Sequence, residues 1–198
     1  RFRKRLKTHR KPIIPDLSAL RGELLRADDT GDSAGAITTI GIPLAMYTWD
    51  YLPLWRRFFR DCGFRVVVST ETNRQMVQAG LDAAVAEPCF PIIVAHGHAT
   101  DLINRDVDYL FVPNLLTTEE KAPGVESYVC PWGQTLPFVL RQSAPLRRWR
   151  GRILCPTLSF RHGRDAVQKA LLQTVKDLGV PARRAANAFT AGLAALAR

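Results

Sequence analysis

The chain has 198 residues, of which 46% are hydrophobic, and a formal net charge of +10 at pH 7. This length predicts one domain with a buried core, and no apolar stretch reaches the roughly 20 residues that span a bilayer. Seven basic residues lie at positions 1–11, which leaves +3 for the remainder. We favour a solvated segment over a nucleic-acid contact for this run, because aromatic residues do not alternate with the basic ones.

Three segments are predicted along the chain. Residues 1–37 form the basic segment and a connector, residues 38–180 an α/β domain, and residues 181–198 a terminal helix that leads into a further domain. The chain starts with arginine and its last helix runs to the final residue, so we interpret it as a fragment of a longer protein. Its four cysteines lack disulfide-like spacing, which indicates a reducing cytoplasm.

From residue 38 onward, short apolar runs alternate with helical patterns. Strands are predicted at residues 39–43, 64–69, 107–113 and 152–155. Helices are predicted at residues 51–62, 73–83, 91–104, 131–140, 165–178 and 180–198, with Thr72 or Asn73 as the cap of the second. This alternation predicts a doubly wound parallel sheet of about four strands, in flavodoxin-like order and flanked by helices.

Two cysteines lie beside prolines where helices are predicted to begin. Cys89 precedes Phe90-Pro91 and Cys130 precedes Pro131, and proline is favoured in a first helical turn because its missing N–H needs no partner there. The free N–H groups and partial positive charge of a helix N-terminus favour the thiolate, which binds metals and attacks electrophiles. Iron–sulfur clusters are held by thiolates, commonly four. The alternative is a pair of partly exposed thiols without metal.

The predicted topology gathers several of these residues at one place. The carboxyl ends of parallel strands meet at one edge of the sheet, the carboxyl edge, where ligand sites form. Cys89, Cys130 and Cys155 are all predicted there, together with Asn114, and the three cysteines are the candidate metal ligands. Cys155 is the weaker candidate, because a cysteine that ends a buried strand is usually a small core residue. Cys62 is predicted to lie in the core.

His96-Gly97-His98 follows Cys89 within the same predicted helix. Either histidine could donate to a cluster sulfide or move protons, but the i, i+2 spacing puts them on different helix faces, and we favour one packed and one exposed. Trp132 could line the same cavity or act as a packing anchor. The chain has no G-x-x-x-x-G-K-[ST] phosphate loop, no G-x-G-x-x-G and no C-x-x-C pair.

A series of short segments, in a fixed order, is similar to one known family. The segments are Ile40-Gly41-Ile42-Pro43 with Tyr47, Leu52-Pro53-Leu54-Trp55, Phe58-Phe59, Gly63-Phe64, Pro88-Cys89-Phe90-Pro91, Ala95-His96-Gly97-His98, Val107 to Pro113, and Cys130-Pro131. Over roughly residues 38–160 the chain resembles the uncharacterised domain of acyl-CoA dehydratase activase-related proteins. It is more distantly similar to the iron–sulfur subunits of 2-hydroxyacyl-CoA dehydratases and to double-cubane-cluster proteins.

This resemblance implies a large cytoplasmic protein in which ATPase-type activase domains precede this one, so that ATP would bind only on those other domains. It implies that Cys89 and Cys130 hold an iron–sulfur cluster, expected to be of the 4Fe–4S type, used in ATP-driven low-potential electron transfer. The expected partners are the other domains of the same polypeptide, a homodimer is left open, and no membrane is involved. The fragment alone is not expected to be a complete enzyme.

One departure from the family pattern concerns the residue after the third predicted strand. Many relatives carry a cysteine there, whereas this chain has Asn114. Asn114, His96, His98 and Trp132 are therefore expected around the cluster and not as its ligands. The rival hypothesis is a structural or docking domain that has lost its cluster.

Overall fold

The computed structural model describes residues 22–23, 38–119 and 124–197. The chain forms two compact units, residues 1–31 and 32–198, and the second contains the sheet and its helices. The basic run at residues 1–11 lies outside the described residues, and so does most of the predicted connector. The predictions made for them stay predictions.

The described chain contains six strands and six α-helices. The strands are β1 (Thr39–Ile42), β2 (Arg65–Val68), β3 (Tyr109–Phe111), β4 (Asn114–Thr117), β5 (Ile153–Leu154) and β6 (Thr157–Ser159). The helices are α1 (Leu52–Cys62), α2 (Arg74–Ala83), α3 (Phe90–Asn104), α4 (Pro131–Leu140), α5 (Arg164–Lys176) and α6 (Ala182–Leu196). Short 3₁₀ turns occur at Met46–Thr48, Arg147–Arg152 and Phe160–His162.

The main sheet has four parallel strands in the order β2-β1-β3-β5. Ile40 of β1, for example, lies between Val66 of β2 and Tyr109 of β3. The first strand pairs with the second on one side and the third on the other, which is the flavodoxin-like order. The predicted doubly wound parallel sheet is therefore confirmed.

Both faces of this sheet are buried. Neighbouring residues of a strand point to opposite faces, so consecutive residues of β3 pack into different cores. Phe111 of β3 packs against the rings of Trp55 and Phe59 on α1, with centroids 5.2 and 4.8 Å apart. Leu110, one residue earlier, belongs to a separate apolar cluster on the other face, which includes Leu102 of α3 and other residues of α3 and α4. Two cores thus hold one sheet between two layers of helices.

Local sequence signals fix the ends of α1. Pro53 lies in its first turn, and Gly63 ends it with a φ of 99°, a left-handed conformation that costs glycine little. The Gly63 N–H donates to the carbonyl of Arg60 at 2.8 Å. The terminal helix α6 packs on α1, where Gly192 lies against Leu54.

The second sheet, formed by β4 and β6, was absent from the sequence prediction. The Val112 N–H donates to the Leu154 carbonyl and the Asn114 N–H to the Pro156 carbonyl, each at 2.9 Å, so the ladder between β3 and β5 continues into the pair β4–β6. Pro113 and Pro156 lie at this junction, and proline suggests that a strand has ended because it cannot donate to a ladder. Because each proline lies between the two sheets, no ladder hydrogen bond is lost at its position.

Candidate functional site

Cys89 is the N-cap of α3, which begins one residue earlier than predicted. Its backbone is extended, its carbonyl accepts the N–H of Ile92 at 2.9 Å, and Pro91 lies in the first turn. The thiol makes no capping hydrogen bond and is exposed to solvent. Phe90, which follows it, is also exposed, at 61% of its surface. Packing therefore gives no reason for a cysteine at this position.

Cys130 is the N-cap of α4, and its surroundings are more ordered than those of Cys89. Its Sγ accepts the Gly133 N–H at 3.3 Å, and its own N–H donates to the Tyr47 hydroxyl at 3.1 Å. The Tyr47 ring lies so close to Gly133 that a Cβ on Gly133 would be 2.5 Å from the ring edge. Burial raises the pKa of Tyr47, although the hydrogen bond from the Cys130 N–H opposes that rise.

Both cysteines belong to the carboxyl edge of the main sheet. Helix α3 leads into β3 and α4 precedes β5, so in a parallel sheet both helices begin at that edge. The turn Met46–Thr48, which follows β1, contacts α3 and supplies the Tyr47 hydroxyl to Cys130. Cys62 ends α1 just before β2 starts, at the opposite edge, and is buried, which raises its pKa to about 12.

Cys89 lies beyond the end of β2 along the axis of α3. His98, on the same helix, is level with the end of β2, because its Nδ1 lies 2.7 Å from Ser69 Oγ. Cys89 precedes His98 by nine residues, and a helix rises 1.5 Å per residue, so Cys89 lies about 13 Å further out along the axis. The thiol therefore lies beyond the end of β2 and is exposed to solvent.

Cys155 and Asn114 follow two adjacent strands of the main sheet, at its carboxyl edge. Both lie where the main sheet continues into the small one, Cys155 between β5 and β6 and Asn114 at the start of β4. Cys155 is half-buried and packs against the apolar cluster of α3 and α4. The Asn114 amide donates to the carbonyl of Gln134 on α4 and so ties that helix to the sheet. Continued strands occupy the place where an open edge was predicted.

The prediction that one histidine is packed and the other exposed is wrong, because His96 and His98 are both fully buried. The imidazole of His98 lies between Ser69 Oγ and Thr72 Oγ1, at 2.7 and 2.9 Å, and Ser69 Oγ also accepts the Leu44 N–H. His96 Nδ1 lies 2.8 Å from the Ile92 carbonyl. Helix α3 contacts α2, β1, β3 and α4, so several of its faces are covered.

The thiols are suitable in kind for an iron–sulfur cluster, but the described residues do not complete a ligand set. Within residues 22–23, 38–119 and 124–197, no three His, Cys, Asp or Glu side chains are grouped so that they could hold a metal ion. Two thiolates are fewer than the four that such clusters commonly need. Trp132, expected nearby, is 40% exposed two residues after Cys130.

Sequence reasoning named Tyr47 only as part of the resemblance and assigned it no role. Its position in the loop after the first strand is the signal that could have revealed it, because such loops lie at the carboxyl edge. Ser69 and Thr72 were missed as partners of His98, although both follow the second strand.

Comparison with known protein families gives one match. The model of the CoA enzyme activase uncharacterised domain matches residues 39–198, which is most of the chain. The chain belongs to this family. The suspected activase relationship is therefore confirmed, and this activase-family domain includes α6 as well as the sheet.

The other comparisons added no relatives. No curated protein and no solved structure matches the activase-family chain. In the part of the chain that the structure describes, none of the helices has the length and apolar character needed to cross a membrane.

Proposed function

We propose that this domain takes part in ATP-driven, low-potential electron transfer within a cytoplasmic CoA enzyme activase-like protein, with Cys89 and Cys130 as two thiolate ligands of an iron–sulfur cluster. The observation that supports this proposal is the pair of exposed cysteines that cap two helices at the carboxyl edge. When bound, such a cluster supplies one-electron transfer at a potential set by its surroundings. ATP would bind on other domains of the polypeptide.

Each cysteine has a distinct task in this proposal. Cys130 is held by the Tyr47 hydroxyl and by the Gly133 N–H, so its sulfur has a fixed direction. Cys89 projects from the end of α3 without a hydrogen bond to its sulfur and can meet a group that approaches from outside. The remaining ligands would come from a second chain or from other domains of the same polypeptide.

Iron content tests this proposal directly. In protein purified without oxygen, Cys130→Ser is expected to lower iron and sulfide per chain by at least about half, because a hard serine oxygen replaces a soft thiolate poorly. Its stability should stay within about 1 kcal/mol of the unsubstituted chain, since serine is a strong N-cap. Iron and acid-labile sulfide per chain, absorption spectra and urea unfolding are the measurements.

Cys62→Ser is the matched control. It places a hydroxyl in a buried apolar position and should cost about 1–3 kcal/mol without changing iron content. The cluster proposal is contradicted if the unsubstituted chain contains no iron in a preparation that retains the activase domains. So does a Cys130→Ser variant that keeps all its iron.

A structural or docking domain without a cluster is the second candidate. It is favoured by Asn114, which lies where the resemblance implies a cysteine in many relatives and which donates its amide to the Gln134 carbonyl. An asparagine used in this way holds α4 against the sheet and needs no metal. This candidate predicts that the purified domain contains no iron. It also predicts that deleting the domain from the full polypeptide weakens the association of the activase domains.

A further inference from the structure

A long stretch of the chain carries positive charge alone. Between Glu126 and Asp165 the sequence contains no aspartate or glutamate. The arginines of this stretch are Arg141, Arg147, Arg148, Arg150, Arg152, Arg161 and Arg164. Four of them lie in the 3₁₀ turn Arg147–Arg152, the arginine turn, and all four are exposed.

The arginine turn lies at the end of the main sheet opposite the cysteines. It leads directly into β5, and the parallel strands start at that edge. The Arg150 Nε donates to the Arg141 carbonyl at 2.9 Å, and its terminal nitrogen donates to Gln142 Oε1 at 2.6 Å. These bonds hold the turn against the C-terminus of α4 and fix the direction of one guanidinium group, but they leave its charge in place.

The charge of the arginine turn is not neutralised within the described part of the chain. None of its four arginines forms an ion pair there, whereas Arg164 pairs with Glu119 at 3.2 Å. The acidic residues that precede β3 at the same edge are Asp106 and Asp108, and Asp108 accepts the Thr39 N–H at 2.7 Å. The turn therefore presents uncompensated positive charge to solvent.

The composition of the turn bears on the kind of anion it fits. Its aromatic residue, Trp149, is buried and lies under the Arg152 guanidinium at 5.3 Å, so it offers no exposed ring for a base to stack on. Six residues of 3₁₀ helix span about 12 Å, which is short for a track along a phosphate backbone. Arginine forks pair bidentately with carboxylates as well as with phosphates. A small charged patch without a stacking ring or an extended track suits a transient, electrostatically steered protein contact.

We propose that the arginine turn is a docking surface for an acidic segment of a protein partner. The contact is weak and steered by charge, and it lies at the far end of the sheet from Cys89 and Cys130. It is independent of the iron–sulfur proposal, since it requires no metal.

A labelled peptide of ten glutamates tests this surface on the full chain. Binding is followed by fluorescence anisotropy at 50 mM salt for the double variant Arg148→Gln/Arg152→Gln and for the control Arg74→Gln/Arg183→Gln. The control removes the same charge from exposed positions on α2 and α6. The basic residues 1–11 are present in every variant, so their contribution cancels in the comparison. We expect the double variant to bind about tenfold more weakly and the control less than about threefold more weakly.

Arg148→Glu is a second, independent variant, because the Arg148 side chain forms no hydrogen bond within the described part of the chain that its loss could break. Although it changes the net charge by the same amount as the control pair, it should weaken peptide binding clearly more than that pair does, with unchanged melting temperature. Equal losses in the double variant and its control overturn the proposal. The same variants are also tested with a 20-base-pair DNA duplex and with anionic lipid vesicles. If the double variant loses more binding to either of these than to the peptide, the proposal is overturned in favour of that ligand.

Discussion

Gly97→Ala is expected to lower the free energy of unfolding by about 3 kcal/mol. Gly97 lies in the middle of α3, where alanine would by itself favour the helix by about 1 kcal/mol. Its Cβ, however, would overlap the Met76 carbonyl oxygen of α2 and lie 2.8 Å from the Met76 side chain. A backbone carbonyl cannot rotate away, so the two helices must separate, and overpacking of this kind outweighs the gain in propensity.

Gly80 on α2 is the reciprocal position. A Cβ there would overlap the Ile93 carbonyl oxygen of α3, so Gly80→Ala should cost a similar free energy of unfolding. Gly151→Ala is the control, since no atom lies within 4 Å of the position of its Cβ, and it should change stability by less than about 0.5 kcal/mol. Urea unfolding at neutral pH measures all three. Equal stability of Gly97→Ala and Gly151→Ala would show that the helices do not touch through their backbones.

Acid is expected to destabilise the domain from about pH 6.5 downward. Burial lowers the pKa of His98 to about 4, with Asp101 opposing that shift, while an unfolded histidine titrates near 6.5. Between these values the unfolded chain binds more protons than the folded one, so stability falls as the pH falls. The contribution of His98 is complete above about pH 6.5, and about 3 kcal/mol of it is lost by about pH 4. Burial also lowers the pKa of His96, which acts in the same direction.

Urea unfolding at intervals between pH 7 and pH 4.5 measures this loss. His98→Asn should be less stable at pH 7, because the Ser69 and Thr72 contacts change, but its stability should decline less with acid. His162→Gln, at an exposed position, is the control and should keep the full decline. A parent curve that is flat from pH 6.5 to pH 5 contradicts the prediction, and so does a His98→Asn curve parallel to it.

The helices and strands around the main sheet could be predicted from sequence because the signals that mark their ends are local. Asn73 accepts the Met76 N–H at 2.9 Å and caps α2 as expected, and Gly63 ends α1. A glycine inside a helix costs about 1 kcal/mol relative to alanine and so indicates a close approach, and Gly97 of α3 meets the backbone of α2. Signals of this kind depend on a few neighbouring residues, which a sequence displays directly.

The features that were missed depend on distant neighbours. Spacing alone puts His96 and His98 on different faces of α3, but it cannot reveal that α2, the sheet and α4 cover several faces of that helix. Pro113 suggested the end of a strand, whereas the ladder continues beyond it because the neighbouring strand segment also has a proline, Pro156, at the junction. For the candidate site, the sequence predicted two cysteines at or next to helix N-caps, but not the Tyr47 hydroxyl that bonds to Cys130.

The position of β2 at the end of the main sheet has a consequence for how copies of the domain behave in concentrated solution. Within the part of the chain that the structure describes, one side of β2 has no neighbouring strand. The sequence of β2, Arg65 followed by three valines, would suit the addition of a strand from another molecule. The Arg105 guanidinium donates to the Val68 carbonyl at 2.9 Å, and Arg65 is exposed at the start of the strand. An incoming chain would have to displace one cation and bury another, so these two arginines protect the domain against growth into stacked aggregates.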